Sequence, residues 1–198
     1  MKRIITISRE FGSGGRTIGK DVAARLGYAF YDRELVEEVA KRCGFSQEFI
    51  EENGEYANAR SSLLFYWATA KQHTMENLSM HDQIYIAQTK IIEELADKGD
   101  CVIVGRCADY ILRERTDCLH AFICADMESR AKHIVEYYGE KDKSPEKRLA
   151  EKDQKRKVYY KNYTGRNWGE AKNYDICLNS GVLGMQLCAE LIEQAARK

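Results

Sequence analysis

The sequence predicts an α/β domain in which a mainly parallel sheet carries helices on both faces. Two observations carry this reading. Short runs rich in β-branched residues alternate with helical patterns along most of the chain. The first of these runs also passes through a glycine-rich turn straight into a helix. Strands that alternate with helices need crossover connections, and crossovers leave neighbouring strands parallel and both faces covered.

Taken in order, Ile4-Ile5-Thr6-Ile7-Ser8 is a β-rich run that reads as the first strand. A helical pattern follows from about Thr17 to Leu26, with Gly27 as its C-cap. Tyr28-Ala29-Phe30-Tyr31 reads as the second strand and Arg33 to Cys43 as the second helix. Cys101-Val102-Ile103-Val104, launched from Gly99-Asp100, is a buried third strand, and Leu119 to Cys124 a fourth. Asp126 caps a helix that runs to Tyr138 and stops at Gly139. Tyr174 to Leu178 is the last strand, followed by a helix from about Leu183 to Ala196.

Two stretches break the alternation within what reads as a single domain over residues 1–198. Residues 44–98 show no convincing strand and read as three or so helices, with Leu63, Leu64, Phe65, Trp67, Ile84, Ile86, Ile91 and Ile92 on their apolar faces. That is too long for a plain connection. It is a helical insertion on the acceptor side, serving as a substrate lid, a homodimer surface, or both. Residues 144–170 begin with Ser144-Pro145, a helix start, and continue as a strongly basic helix broken at Thr164-Gly165-Arg166-Asn167-Trp168-Gly169.

Composition narrows the partners. Lys+Arg and Asp+Glu number 31 each, so the net charge is zero and nothing draws a polyanion from a distance. Nucleic acid and anionic membrane are therefore not the expected partners. No run approaches the roughly 18 apolar residues of a membrane span, and none resembles an export signal. The seven cysteines form no C-x-x-C pair and point to reduced thiols in the cytoplasm. Cys101, Cys118, Cys124 and Cys177 lie in or beside strands and are expected as small buried hydrophobes. His73, His81, His120 and His133 lack zinc-ligand spacing.

Chemistry concentrates at Ser8-Arg9-Glu10-Phe11-Gly12-Ser13-Gly14-Gly15-Arg16-Thr17. A glycine-rich turn entering a helix N-terminus aims several N–H groups and a helix dipole at one point, which is an anion site. Against the phosphate-loop pattern G-x-x-x-x-G-K-[ST], Gly15 fills the second glycine and Thr17 the Mg²⁺-binding hydroxyl. Arg16 stands in the lysine position and Glu10 in that of the first glycine. Arginine keeps the charge but offers a planar fork in place of a point charge. Arg106 follows the buried third strand, and ligands of open parallel sheets bind outside the carboxyl ends of strands. On a helix, Lys152, Lys155, Arg156 and Tyr159 share one face, either solvated surface or a basic lid over phosphates. Asp32, at the end of the second strand, either caps the helix at Arg33 or serves the chemistry. In the second case it binds Mg²⁺ through water or receives the acceptor's proton.

The chain resembles the cytidylate kinase-like family, relatives of the nucleoside monophosphate kinases. The resemblance covers nearly the whole length and rests on I-T-I-S-R-E-F-G-S-G-G-R from residue 5, F-Y-D-R-E-L from residue 30 and V-I-V-G-R from residue 102. Y-Y-K-N-Y-T-G-R-N-W-G from residue 159 and Y-D-I-C-L-N from residue 174 complete it. It implies a P-loop kinase fold with five parallel strands, ATP as donor and Mg²⁺ as companion ion. Carried over by position, it places the donor phosphates on Gly12, Ser13, Gly14, Gly15, Arg16 and Thr17, and the acceptor phosphate on Arg106. Arg130 matches the arginine on the helix beside the lid, and Lys152 and Lys155 match two lid arginines. The departures concern the acceptor: D-G-R-D here reads Val104-Gly105-Arg106-Cys107, and the S-G-x-x-Y-R stretch is replaced by Asp32-Arg33-Glu34-Leu35. Arg156 stands about where the family has a later acidic residue.

Together these readings predict transfer of the ATP γ-phosphoryl group to a nucleoside monophosphate or similar small acceptor. Arg16 and the loop amides hold the donor, Thr17 the ion and Arg106 the acceptor, while Lys152, Lys155 and Arg156 close over the transferring group. The alternatives are a kinase for a non-nucleotide small molecule and a nucleotide-binding protein without turnover.

Overall fold

The computed structural model of the chain describes residues 1–53 and 79–198. Its elements are β1 (Ile4–Arg9), α1 (Gly15–Leu26), β2 (Ala29–Tyr31), α2 (Arg33–Cys43), α3 (Gln47–Asn53), α4 (Met80–Lys98) and β3 (Cys101–Val104). They continue with α5 (Ala108–Ile111), β4 (Cys118–Cys124), α6 (Met127–Tyr138), α7 (Pro145–Thr164), β5 (Ile176–Asn179), α8 (Ser180–Leu183) and α9 (Met185–Ala196). The five strands form one parallel sheet in the order β2-β3-β1-β4-β5.

β1 is central because its side chains can be buried on both faces. Ile4, Ile5 and Ile7 are fully buried, and Ile4 pairs with Cys101 on one side and Cys118 on the other. Alternation along the strands then splits the core in two. Ile4, Cys101 and Ile103 point into a layer formed by α2 and α4, with Leu35, Val39, Ile84, Ile91 and Ile92. Ile5, Ile7, Val102, Val104 and Ile123 point into the opposite layer, against Ile18 and Val22 of α1 and Cys188 and Ile192 of α9. Burying one such isoleucine contributes about 2 kcal/mol, so this double-sided core anchors the carboxyl ends of β1 and β3.

Local signals set most element ends. Gly27, Gly139 and Gly165 close α1, α6 and α7 at φ 71°, 71° and 70°. Asp126 accepts from the Ser129 N–H and Ser144 from the Lys147 N–H, which caps α6 and α7 at the expected residues. α1 begins two residues earlier than expected, at Gly15, and β5 begins two later, at Ile176. Cys177 is exposed rather than buried, because β5 lies at the sheet edge.

The two irregular stretches behave differently from the expectation. Met80–Lys98, within the stretch read as a helical insertion, is packed into the core through Ile84, Ile91, Ile92 and Ala96 and leads into β3. Leu63, Leu64, Phe65, Trp67 and His73, and with them most of the proposed dimer surface, lie outside the described residues. α7 is one continuous helix whose second half is built into the domain. Its Tyr159 donates to Gln88 Oε1 (2.8 Å) and its Tyr160 to Asp109 Oδ2 (2.6 Å). Tyr163 stacks on Tyr85 at 4.1 Å between ring centroids. Lys152 and Lys155 are exposed, whereas Tyr159 is buried, so the four residues expected on one basic face meet different surroundings. Among the described residues no helix is long and apolar enough to cross a membrane.

Candidate active site

The chain turns from β1 into α1 through Gly12 (φ 82°) and Gly14 (φ 74°), both in the left-handed region that favours glycine. Gly15 must lack a side chain for another reason: a Cβ there would sit 2.5 Å from the Cβ of Arg9. α1 has no side-chain cap and no acidic residue in its first turn. Its leading N–H groups therefore have no intrahelical partner and face an anion-sized opening with the positive end of the helix dipole behind them. The turn is tied from below, since Ser13 donates to the Glu10 carbonyl (2.9 Å) and Ser180 donates to that of Ser13 (2.7 Å).

Above the turn lies a cleft of about 200 Å³ lined by Gly12, Gly14, Gly15, Arg16, Thr17 and Asp32, with Arg156 and Tyr137 at its walls. Arg16 is half-exposed, and its Nε lies 2.6 Å from Asp32 Oδ2. Asp32 makes no side-chain cap to α2. Of its two expected roles, capping is absent, and its carboxylate faces the loop arginine instead. The Thr17 hydroxyl and the Asp32 carboxylate line the same cleft and are hard oxygen donors of the kind Mg²⁺ takes alongside phosphate oxygens. No cluster of three His, Cys, Asp or Glu side chains able to hold a metal by itself is found among the described residues.

Glu10 places a carboxylate in the loop and at the wall of the cleft, where it is engaged by neighbouring donors. Its Oε2 accepts the Ala125 N–H at 3.1 Å and lies 3.6 Å from Arg130 Nε. Arg130 itself is buried at 6% exposure and does not line the cleft. It pairs with Asp153, also buried, and donates to the Phe11 carbonyl. The structure thus places Arg130 against the loop at Phe11, outside the cleft lining.

Arg106 stands in a tense backbone. Gly105, Arg106 and Cys107 have φ of 76°, 57° and 56°, three successive left-handed residues of which two carry a Cβ. Such residues cost on the order of 1 kcal/mol each and persist where the surroundings over-determine them. Here the Gly105 N–H is fixed to the Ile7 carbonyl (3.0 Å), and Cys107 is packed among the tyrosines of α7. Arg106 shares a narrow second recess with Ser8, Arg9, Arg156 and Trp168, adjoining the first cleft through Arg9 and Arg156. Arg16, Thr17, Asp32 and Arg156 are thereby brought together, with Arg106 next door. Lys152 and Lys155 line neither recess.

Three residues escaped the sequence reading. Arg9 ends the buried first strand, a position signal close to the one that singled out Arg106. Asp153 is hidden inside a charged run. Asp109, three residues after Arg106, accepts from Ser8 (3.1 Å) and Tyr160 (2.6 Å) and is almost fully buried. Burial pushes its carboxyl up from the ordinary value, against the lowering effect of those two hydrogen bonds. A carboxyl raised on folding stabilises fully below its unfolded value, and that contribution is lost as pH rises through the folded value. The stability advantage of wild type over Asp109→Asn is therefore expected to shrink as pH rises above the ordinary carboxylate value of about 4. Thermal melts of both proteins across that range check this; a pH-independent gap would show that the carboxyl keeps one charge state through unfolding.

The sheet order, the glycine loop after the central strand and the helix N-terminus behind it define a P-loop kinase fold. The model of the cytidylate kinase-like family matches residues 4–182, and the chain belongs to that family. Among solved structures, an uncharacterized protein from Eubacterium ventriosum is 28% identical, with TM-score 0.74 over 100% of this chain and 99% of its own. The shikimate kinase from Bacteroides thetaiotaomicron shares 13% identity, with TM-score 0.59 over 100% of both chains. A gluconokinase from Sinorhizobium meliloti shares 12%, with TM-score 0.51 over 98% of this chain and 93% of its own. The two kinases are similar in fold alone. No match is found among curated protein sequences.

Proposed function

We propose that the protein transfers the γ-phosphoryl group of ATP to a small acceptor carrying an anionic group. The observation that carries this is the single cleft in which an uncapped helix N-terminus, Arg16, Thr17 and Asp32 converge. Phosphoryl transfer asks for positioning and charge neutralisation more than for covalent chemistry, and these groups supply both. The amides of α1 and Arg16 hold the β- and γ-phosphates. Thr17 and Asp32 hold Mg²⁺, which when bound neutralises charge on the phosphate oxygens. Arg106, with Arg9 and Arg156 beside it, orients the acceptor at the carboxyl ends of β1 and β3. In the alternative to holding the ion, Asp32 takes the acceptor's proton. Lys152 and Lys155, exposed on α7, add positive field around the mouth.

The acceptor is open between a nucleoside monophosphate and a non-nucleotide hydroxy acid. The family membership favours the first; the missing D-G-R-D carboxylates and the fold shared with a shikimate kinase and a gluconokinase favour the second. The test is ATP consumption with CMP and the other nucleoside monophosphates, then with shikimate, gluconate and related acids. Turnover with one of them is expected. ATP binding without turnover on any would support the non-catalytic reading, which the Arg16–Asp32 pair also favours, since it ties up the loop cation.

A further inference from the structure

Standard phosphate loops take their shape largely from their own glycines, but here the arm entering the loop carries Arg9, Glu10 and Phe11 in place of the first glycine. The structure holds this arm from outside. Asp153 Oδ1 accepts the Phe11 N–H at 2.8 Å. Its other oxygen pairs with Arg130 Nη1, which also donates to the Phe11 carbonyl at 3.3 Å. One buried ion pair, shared between α6 and α7, therefore grips both polar groups of a single loop residue. The neighbouring contacts repeat the pattern: Arg156 Nη1 donates to the Arg9 carbonyl at 3.0 Å, and Glu10 lies beside Arg130. The Phe11 ring stacks on Tyr138, and the Arg156 guanidinium stands 5.9 Å from its centroid.

We propose that Arg130 and Asp153 are positioning residues that set the path of the phosphate loop through Phe11, so that the donor site exists only while α7 is docked. The inference rests on the loop binding the donor phosphates. Its physical basis is that a buried ion pair is a poor source of stability, because desolvating both charges offsets their attraction. What this pair does supply is direction. It fixes one peptide unit at the entrance of the anion site, and the residue three positions after Asp153 on the same helix is Arg156, which lines the cleft. Docking α7 thus shapes the loop and delivers a cation to the phosphates in one contact.

The test uses Arg130→Met/Asp153→Leu, which removes both charges together and leaves no lone buried ion. Three measurements are made: the melting temperature, hydrogen exchange of residues 9–17, and affinity for ATP·Mg²⁺ and for inorganic tripolyphosphate. The expected result is a melting temperature within a few degrees of wild type, faster exchange in the loop, and affinity for both ligands weakened roughly ten- to hundredfold, the worth of hydrogen bonds to charged groups. Asp153→Asn, which keeps an acceptor for the Phe11 N–H but releases Arg130, is expected in between and serves if the double variant fails to fold. A lowered melting temperature with wild-type affinity would make the pair merely structural and overturn the inference. Unchanged exchange and affinity in both variants would do the same. Wild-type protein that binds neither ATP nor tripolyphosphate would instead remove the donor-site reading, and the inference with it.

Discussion

Arg16→Ala is expected to lower ATP turnover by on the order of a hundredfold or more, while changing ATP affinity far less. The guanidinium lines the cleft beside Thr17 and stands opposite Asp32, and in the proposed transfer this is where charge grows as the γ-phosphoryl group leaves. Removing it costs the transition state more than the ground state, because the loop amides still bind the phosphates. Arg16→Lys retains the charge but loses the fork and its short contact to Asp32, and should be intermediate. Steady-state ATP consumption with the acceptor found above, set beside direct ATP binding, separates the two effects. Undiminished turnover in Arg16→Ala would sink the role given to Arg16 and leave the enzyme class standing.

Gly12→Val should be the most disruptive single change in the loop. Gly12 has φ 82°, and a Cβ there would lie 2.9 Å from Ile134 Cγ2, 3.0 Å from the Arg130 carbonyl and 3.1 Å from Leu149 Cδ2. The backbone strain costs about 1–2 kcal/mol and overpacking against α6 and α7 about 1–3 kcal/mol more. Either α6 and α7 lift off the loop or the loop collapses, and in both cases nucleotide binding goes. Gly27→Val is the matched control: φ is 71° and no atom lies within 4 Å of the Cβ position, so it carries the strain without the clash. Gly14→Val is less telling, since the atom it would meet is the flexible side chain of Met185. Chemical denaturation should show Gly12→Val less stable than Gly27→Val by about 1–3 kcal/mol. Equal losses at the two positions would mean that the helices do not bear on the loop at Gly12.

What could be read without coordinates was what depends on near neighbours in the chain. The alternation of strands and helices, the glycine turn ahead of α1, and the caps at Asp126, Ser144, Gly139 and Gly165 are each written within a few residues. Arg16, Thr17 and Asp32 were legible as candidates for the same reason: each sits at the carboxyl end of a strand or the start of a helix. The ends of β5 and α1 drifted by two residues because pairing with β4 and the loop geometry set them.

Helical periodicity showed that Ile84, Ile91 and Ile92 share a face, but not what that face packs against, and α4 proved to cover the sheet. The charges were harder still. Arg130 and Asp153 lie 23 residues apart, and Tyr160 and Asp109 lie 51 apart. Within a charged run, a lysine bound for solvent and an aspartate bound for the core look alike. The sequence by itself determined the fold class, the phosphate loop and its unusual arginine, because local backbone preference and burial patterns encode them. Only the tertiary structure decided which charges face the cleft and which lie outside its lining, because a buried charge is tolerated only where a partner from a distant segment meets it.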